Sequence, residues 1–349
     1  MAATRYRLAQ FVEPLSERGI QLTIRPFLDS SLSASLYRRS EWPRTALGLM
    51  RAAVCRVADV WKASRADVLL IQREAMIFGP PVIEWLATRV GRCPMVLDLD
   101  DAIYVSYLSP TYGRLGSALK WFSKTDDLIR WAKVVTCGNR TIAEYVAGKG
   151  ASVSIIPTVV EMESFRPASL RQERDVPVIG WIGTHSTYPY LASIFPALQR
   201  LARDFRFRLK IIGAGREEIE IPDVEVESLA WSLEREIADF QSFDIGLYPI
   251  IEDEWSAGKS GFKSIQYMAV GIPFVVTPVG ACAEIGEVNA THFAARSEDE
   301  WYGALARLLS SSELRKKMGA AGRQHALQHY TVAAQADKLA EALQMAVGK

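Results

Sequence analysis

The chain has 349 residues, 49% hydrophobic and 23% charged, with a formal net charge of +1. That size suits two domains, and the composition is that of a globular protein. The near-neutral balance excludes wholesale nucleic-acid binding, which needs a basic surface, and leaves only a local basic patch open. Cys55, Cys93, Cys137 and Cys282 form no CxxC pair and no Cys/His cluster. They are expected to be small buried residues in a reducing compartment, not disulfides or zinc ligands. The opening residues MAATRYRLAQFVEP lack the apolar core of a signal peptide. No apolar run approaches the ~18–20 residues that span a bilayer. The chain reads as cytoplasmic, with peripheral contact at the inner face of a membrane left open.

Short β-branched runs alternate with longer amphipathic stretches along the chain. IQLTIRPFL (20–28) predicts a strand and residues 46–63 a helix. ADVLLIQ (66–72) predicts a strand, followed by a helix near 80–90. PMVLDLDD (94–101) is a strand ending in acids, with helical sequence over 113–131. AKVVTCG (132–138), the helix NRTIAEYVAGKG and the short strand in SVSIIPTVV (152–160) follow. Residues 161–175 are polar and aperiodic and read as a linker. The pattern then restarts: strands in 176–184, 207–215, VEVES and 243–250, with helices near 189–203 and in SLEREIADFQ. GKSGFKSIQYMAVGIPFVVTPVG (258–280) gives a helix and then a strand, and three helices close the chain. Such alternation predicts two parallel α/β sheets covered on both faces. The N-terminal domain lacks the usual opening strand and glycine-rich turn. Either it does without them or the true start lies upstream, and the second reading is preferred.

Ligands in open α/β sheets bind beyond the carboxyl ends of the strands, so candidate residues are sought there. Lys259 and Lys263 stand where a loop with Gly258 and Gly261 turns into a helix. A helix N-terminus at 260–263, spanning Ser260, Gly261 and Phe262, suits phosphate oxygens, and two lysines would add charge. A solvated helix face explains the same lysines equally well. Gln266, one turn on, is placed for a ribose hydroxyl. Gly183, Thr184 and His185 follow a buried strand, where the glycine allows close backbone approach. IIGAGRE (211–217) holds only part of a dinucleotide fingerprint. Asp100 and Asp101 leave a strand together and could meet sugar hydroxyls, an acceptor or a metal, or cap a helix. Glu252, Asp253 and Glu254 could bind sugar hydroxyls or equally be ordinary loop acids, the latter expected of at least two of them. No constellation among His292, His325 and His329 supports a metal site.

Together these residues make the chain resemble the family 4 glycosyltransferases of GT-B fold, the bacterial group 1 type. The resemblance runs from about Val176 to the end, through GKSGFKSIQYMAVGIPFVVTPVG and the later MGAAGR. RYR, LDLDDAIY and IIPTVV carry a looser match in the N-terminal half. The resemblance implies two Rossmann-like domains with parallel sheets facing a central cleft. An acceptor-side domain over 1–160 and a donor-binding domain over 176–330 are joined by 161–175, with helix 331–347 crossing back. It implies a UDP-, GDP- or other NDP-sugar donor, a carbohydrate or lipid-linked acceptor, retention of configuration, and no metal or other cofactor. Polysaccharide or glycolipid synthesis is the implied setting. Gly215, Arg216, Ala230 and Trp231 should then line the base and ribose pocket, and Asp100 and Asp101 should face the reacting sugar. Many members carry two glutamates eight positions apart, where this chain has Gly258 and Gln266. Asp253 or Glu254 is the expected substitute for the first. A degenerate GT-B protein that binds donor without turnover is the alternative. A GT-B epimerase and a Rossmann dehydrogenase fit less well.

Overall fold

The structure is a computed structural model that describes residues 2–36, 39–108, 113–169, 174–216 and 218–348. The chain divides into two compact units. One comprises Met1–Thr158, Gly258–Ser260 and Val332–Lys349; the other comprises Val159–Ala257 and Gly261–Thr331.

The first unit is built on four parallel strands in sequential order: β1 (Leu69–Gln72), β2 (Met95–Leu99), β3 (Val134–Cys137) and β4 (Val153–Ile155). Every residue of β2 and β3 is buried, as expected of central strands covered on both faces. Leu97, Leu99 and Val135 pack with Leu128, Ile129 and Ile142 from the following helices. The terminal helix Val332–Val347 lies on β2, β3 and helix Val12–Glu17, burying Leu339, Ala340 and Leu343.

The strand expected at 20–28 does not form. Residues 21–25 alternate in exposure as a strand would, but pair with no neighbour. Among the described residues the first strand is β1. The single helix expected over 113–131 is two helices, Gly113–Lys120 and Lys124–Trp131. They are broken at Trp121, whose φ of 56° lies in the left-handed region. Cys93, Cys137 and Cys282 are buried as expected, whereas Cys55 is exposed.

The second unit holds six parallel strands: β5 (Val178–Ile182), β6 (Arg208–Ile212), β7 (Glu225–Leu229), β8 (Ile245–Tyr248), β9 (Phe274–Val276) and β10 (His292–Ala294). Their order is β10-β9-β8-β5-β6-β7. The winding therefore reverses between β5 and β8, which lie side by side with Ile179 opposite Ile245. The short β10 carries no run long enough to announce it in the sequence. Two glycines shape this core. A Cβ on Gly180 would lie 2.1 Å from the Phe243 ring, and one on Gly246 would lie 2.6 Å from the Tyr267 ring. Removing those methyls lets Phe240, Phe243, Tyr267 and Phe274 pack against one another. The buried Tyr267 hydroxyl donates to the Leu247 carbonyl at 3.0 Å, so the phenol is satisfied.

The overall charge conceals a division. The first unit has 24 Lys and Arg against 16 Asp and Glu, net +8. The second has 17 against 24, net −7.

Candidate functional site

In the second unit the exits of β5, β6 and β7 are built from glycine, hydroxyl and aromatic groups. Gly183, Thr184 and His185 follow β5, with Thr184 and His185 exposed. The Thr184 amide donates to Thr187 Oγ1 at 3.0 Å, which shapes the turn into helix Tyr188–Ala192. Gly213, after β6, has φ 79°, and a Cβ there would lie 2.4 Å from the Gly183 carbonyl oxygen and 3.2 Å from the Trp231 Cβ. Gly215, with φ 70°, would bring its Cβ within 3.0 Å of the His185 Cβ. Only glycine meets both the left-handed backbone and the close approach at these two positions. The fold thus gathers Gly183, His185, Gly215 and Trp231, four residues well separated in sequence. Arg216 is exposed, with its guanidinium 4.6 Å from the Tyr188 ring centroid. Trp231 is 45% exposed, a large aromatic face left in solvent at a strand exit.

Beside β8, helix Phe262–Ala269 begins at Gly261, which has φ 64° and provides no side-chain cap. The positive end of the helix dipole at such an N-terminus favours negative charge. Lys263, in that first turn, has its ammonium 5.4 Å from the centroid of the Tyr248 ring, at the end of β8. Gln266 is buried one turn further. The next strand exits open on a cavity of about 310 Å³ lined by Ile250, Thr277, Arg296 and Trp301 among others. Of the residues singled out in the sequence, Glu252 lines it.

Asp253 accepts the Ser256 amide at 2.6 Å and so starts helix Glu254–Ala257, and Glu252 is paired with Arg296. Both acids have local structural partners. Glu254 is exposed.

The first unit's strand exits are ionic instead. Asp98, on β2, is buried and forms an ion pair with the buried Arg7, whose Nε donates at 3.0 Å; Thr136 Oγ1 donates to the same carboxylate at 2.6 Å. Asp100 and Asp101 leave β2 together, and Arg73 holds both: its Nε donates to Asp100 and its Nη2 reaches each carboxylate. Burial works against ionising Asp100, but the charge and hydrogen bonds of Arg73, with Arg7 behind, outweigh it. The carboxyl is held below the ordinary carboxylate range. Arg73 itself has φ 62°, and its amide donates to the Asp98 carbonyl at 2.7 Å. Asp101 is therefore no helix cap.

The segment Gly258–Ser260 belongs to this unit. Asn139 caps helix Arg140–Ala147 through Oδ1, and its Nδ2 donates to the Gly258 and Lys259 carbonyls, each at 3.0 Å. A Cβ on Gly258 would lie 2.2 Å from the Ala102 Cβ. Glycine at 258 thus answers to close packing. Lys259 and Ser260 are half-buried.

Arg73 and Asn139 escaped the reading of the sequence. The strand-exit rule that singled out Asp100 and Asp101 after β2 also finds Arg73 after β1 and Asn139 after β3. Among the described residues, no group of three His, Cys, Asp or Glu could hold a metal ion.

Two parallel α/β sheets of this kind match the GT-B class of glycosyltransferase fold. Residues 176–311 match the family model described as glycosyl transferases group 1, so the second unit carries a group 1 glycosyltransferase domain. Sucrose-phosphate synthase from Thermosynechococcus elongatus has a similar structure, with TM-score 0.65 and 12% identity over 95% of this chain and 90% of that one. HepE from Anabaena, solved in complex with UDP-glucose, gives 0.63 and 16% over 83% and 81%. A glycosyltransferase from Rickettsia africae gives 0.63 and 14% over 96% and 87%. No curated protein sequence matches the chain.

Proposed function

We propose that the chain transfers a sugar from a nucleoside-diphosphate sugar to a hydroxyl group of a carbohydrate or lipid-linked acceptor, with retention of configuration. The observation that carries this reading is the group of strand exits within the glycosyltransferase domain. Gly183, Gly213 and Gly215 let the turns after β5 and β6 pack closely on one another, and His185, Arg216 and Trp231 are exposed beside them. Trp231 and Arg216 are assigned to the base and ribose, and Gln266 to a ribose hydroxyl. Thr184, Lys263 and the amides that follow Gly261 are assigned to the diphosphate. Lys259, four residues earlier, and Ser260 are assigned to the same anion.

In the reaction the bond from the anomeric carbon to the diphosphate oxygen breaks and that oxygen keeps the electron pair. The acceptor oxygen bonds to the same face of the sugar, and its proton passes to the departing diphosphate. Negative charge builds on the leaving group, where preorganised cations and amides stabilise it. Asp100, kept ionised by Arg73, and Asp101, paired with the same arginine, are assigned to the acceptor hydroxyl or to the positive charge on the sugar ring. The diphosphate serves as the base, and its charge is met by side chains and helix amides, so the reading requires no metal.

Calorimetric titration with UDP, GDP, ADP and dTDP, with and without magnesium, tests the reading. One nucleoside diphosphate should bind without metal, and Lys263→Ala should weaken it by about tenfold or more. Failure of all four to bind would overturn the donor site. Binding without turnover of any NDP-sugar, as transfer or hydrolysis, would leave the degenerate, non-catalytic reading.

A further inference from the structure

Helix Trp42–Ala63 is 22 residues long, about 33 Å at 1.5 Å per residue. Of its side chains only Thr45 and Ala63 are buried. Its outer face exposes Trp42, Leu47, Met50, Val54, Val57 and Trp61, and Val54 is 72% exposed. From Leu47 onward these residues recur at alternating intervals of three and four, which places them in one stripe along the helix. Isolated exposed apolar residues need no explanation, but a continuous stripe marks a contact surface.

The charges along the stripe have one sign. Arg44, Arg51, Lys62 and Arg65 are exposed around it. The helix has a single carboxylate, Asp59, and that group is engaged by Arg25 at 3.2 Å, Arg56 at 3.1 Å and Lys62 at 3.7 Å. Arg65 stacks on Trp61, its guanidinium carbon 3.6 Å from the ring centroid. The helix packs on the segment Val82–Val90, which also exposes Trp85, Val90 and Arg89. All of this lies in the unit of net charge +8.

We propose that the outer face of helix Trp42–Ala63 docks on an anionic lipid surface, lying in the interface with its apolar stripe down and its arginines and lysine against the headgroups. Charge complementarity selects this occupant. A second copy of the chain would bring arginines against arginines with no free carboxylate to match them. An acidic bilayer supplies both the apolar layer and the negative charge, and tryptophans near the two ends of the stripe suit the headgroup boundary. No helix among the described residues is long and apolar enough to cross a membrane, so this contact is one of lying on the surface. The proposal goes beyond the donor-site reading and does not depend on it.

The test uses the full chain with vesicles of phosphatidylcholine alone or mixed with phosphatidylglycerol. Cosedimentation should rise by about tenfold or more when phosphatidylglycerol is present, and fall again with added salt. Met50→Glu combined with Val54→Glu should abolish that gain. Both side chains are exposed, so the melting temperature and nucleotide binding should stay unchanged. Cys55, the single exposed cysteine of the four, permits an environment-sensitive fluorophore on the helix itself, and its emission should shift to the blue on the acidic vesicles. Three results would overturn the proposal: no binding to acidic vesicles, binding that the double variant retains, or a solution dimer that the double variant dissociates without any vesicle binding. Nucleotide titration of the same samples separates failure here from failure of the donor site.

Discussion

The two units have related parallel sheets but use opposite chemistry where their strands end. In the first, the exits of β1 and β2 are closed by ion pairs: Arg7 with Asp98, and Arg73 with Asp100 and Asp101. In the second, the exits of β5 and β6 are closely packed turns at glycines that no side chain could replace. The surfaces differ as well. Of the large hydrophobic residues exposed among the described positions, 17 belong to the first unit and five to the second. The first is basic and the second acidic. A near-zero net charge therefore said little about either half. An ion-paired exit fixes its charged side chains in place; a glycine exit lets neighbouring turns pack closely and carries the exposed His185, Arg216 and Trp231 beside it.

Lys263→Ala should have the largest effect, and in the second unit. On the proposed reading, in which Lys263 meets the leaving diphosphate, kcat/KM is expected to fall by about 100-fold or more, roughly 3 kcal/mol, with no change in melting temperature. Kinetics and thermal denaturation measured together decide this. Arg73→Ala should do the reverse in the first unit. It strands the buried Asp100 carboxylate and should cost about 3 kcal/mol of that unit's stability, read by hydrogen exchange across β1 and β2. Arg73→Lys should restore part of it.

Acid should separate the units by pH. Burial, with His325 adding to it, lowers the His292 pKa to about 4, and the ring stacks on Phe274. The unfolded chain takes up that proton near pH 6.5, so the second unit's stability should fall by up to about 3 kcal/mol between pH 6.5 and 4. His292→Phe should flatten this dependence in denaturant titrations. Asp100 acts in a lower window. Its folded pKa is depressed, so its contribution is present above the unfolded carboxylate range near pH 4 and is lost as pH falls further. If hydrogen exchange shows both units opening together at pH 5, the comparison fails. The smallest effect is expected from Gly258→Ala, whose added methyl meets Ala102; about 1–2 kcal/mol of overpacking should appear in the melting curve.

Periodicity and composition carried the reading of most of the longer helices and strands, because buried parallel strands are continuous apolar runs and surface helices show a stripe. VLDLDD and IGWIGT could be placed at strand ends for the same reason. The same signals failed at 20–28, where alternation in exposure occurs without a partner, and at β10, which is too short to stand out. Cys55 is exposed on a helix that the sequence did not distinguish from a core helix.

What the sequence determined by itself was local: which segments extend, which coil, and which chemical groups stand at their ends. Those follow from side-chain period, turn residues and backbone freedom. The tertiary structure alone decided which ends meet. It set Arg73 on the acids of the next strand, brought Gly213 against Gly183, placed the missing Cβ of Gly258 against Ala102, and left one face of helix Trp42–Ala63 uncovered. Partners far apart in the chain are chosen by packing and charge in three dimensions, and no single stretch of sequence records that choice.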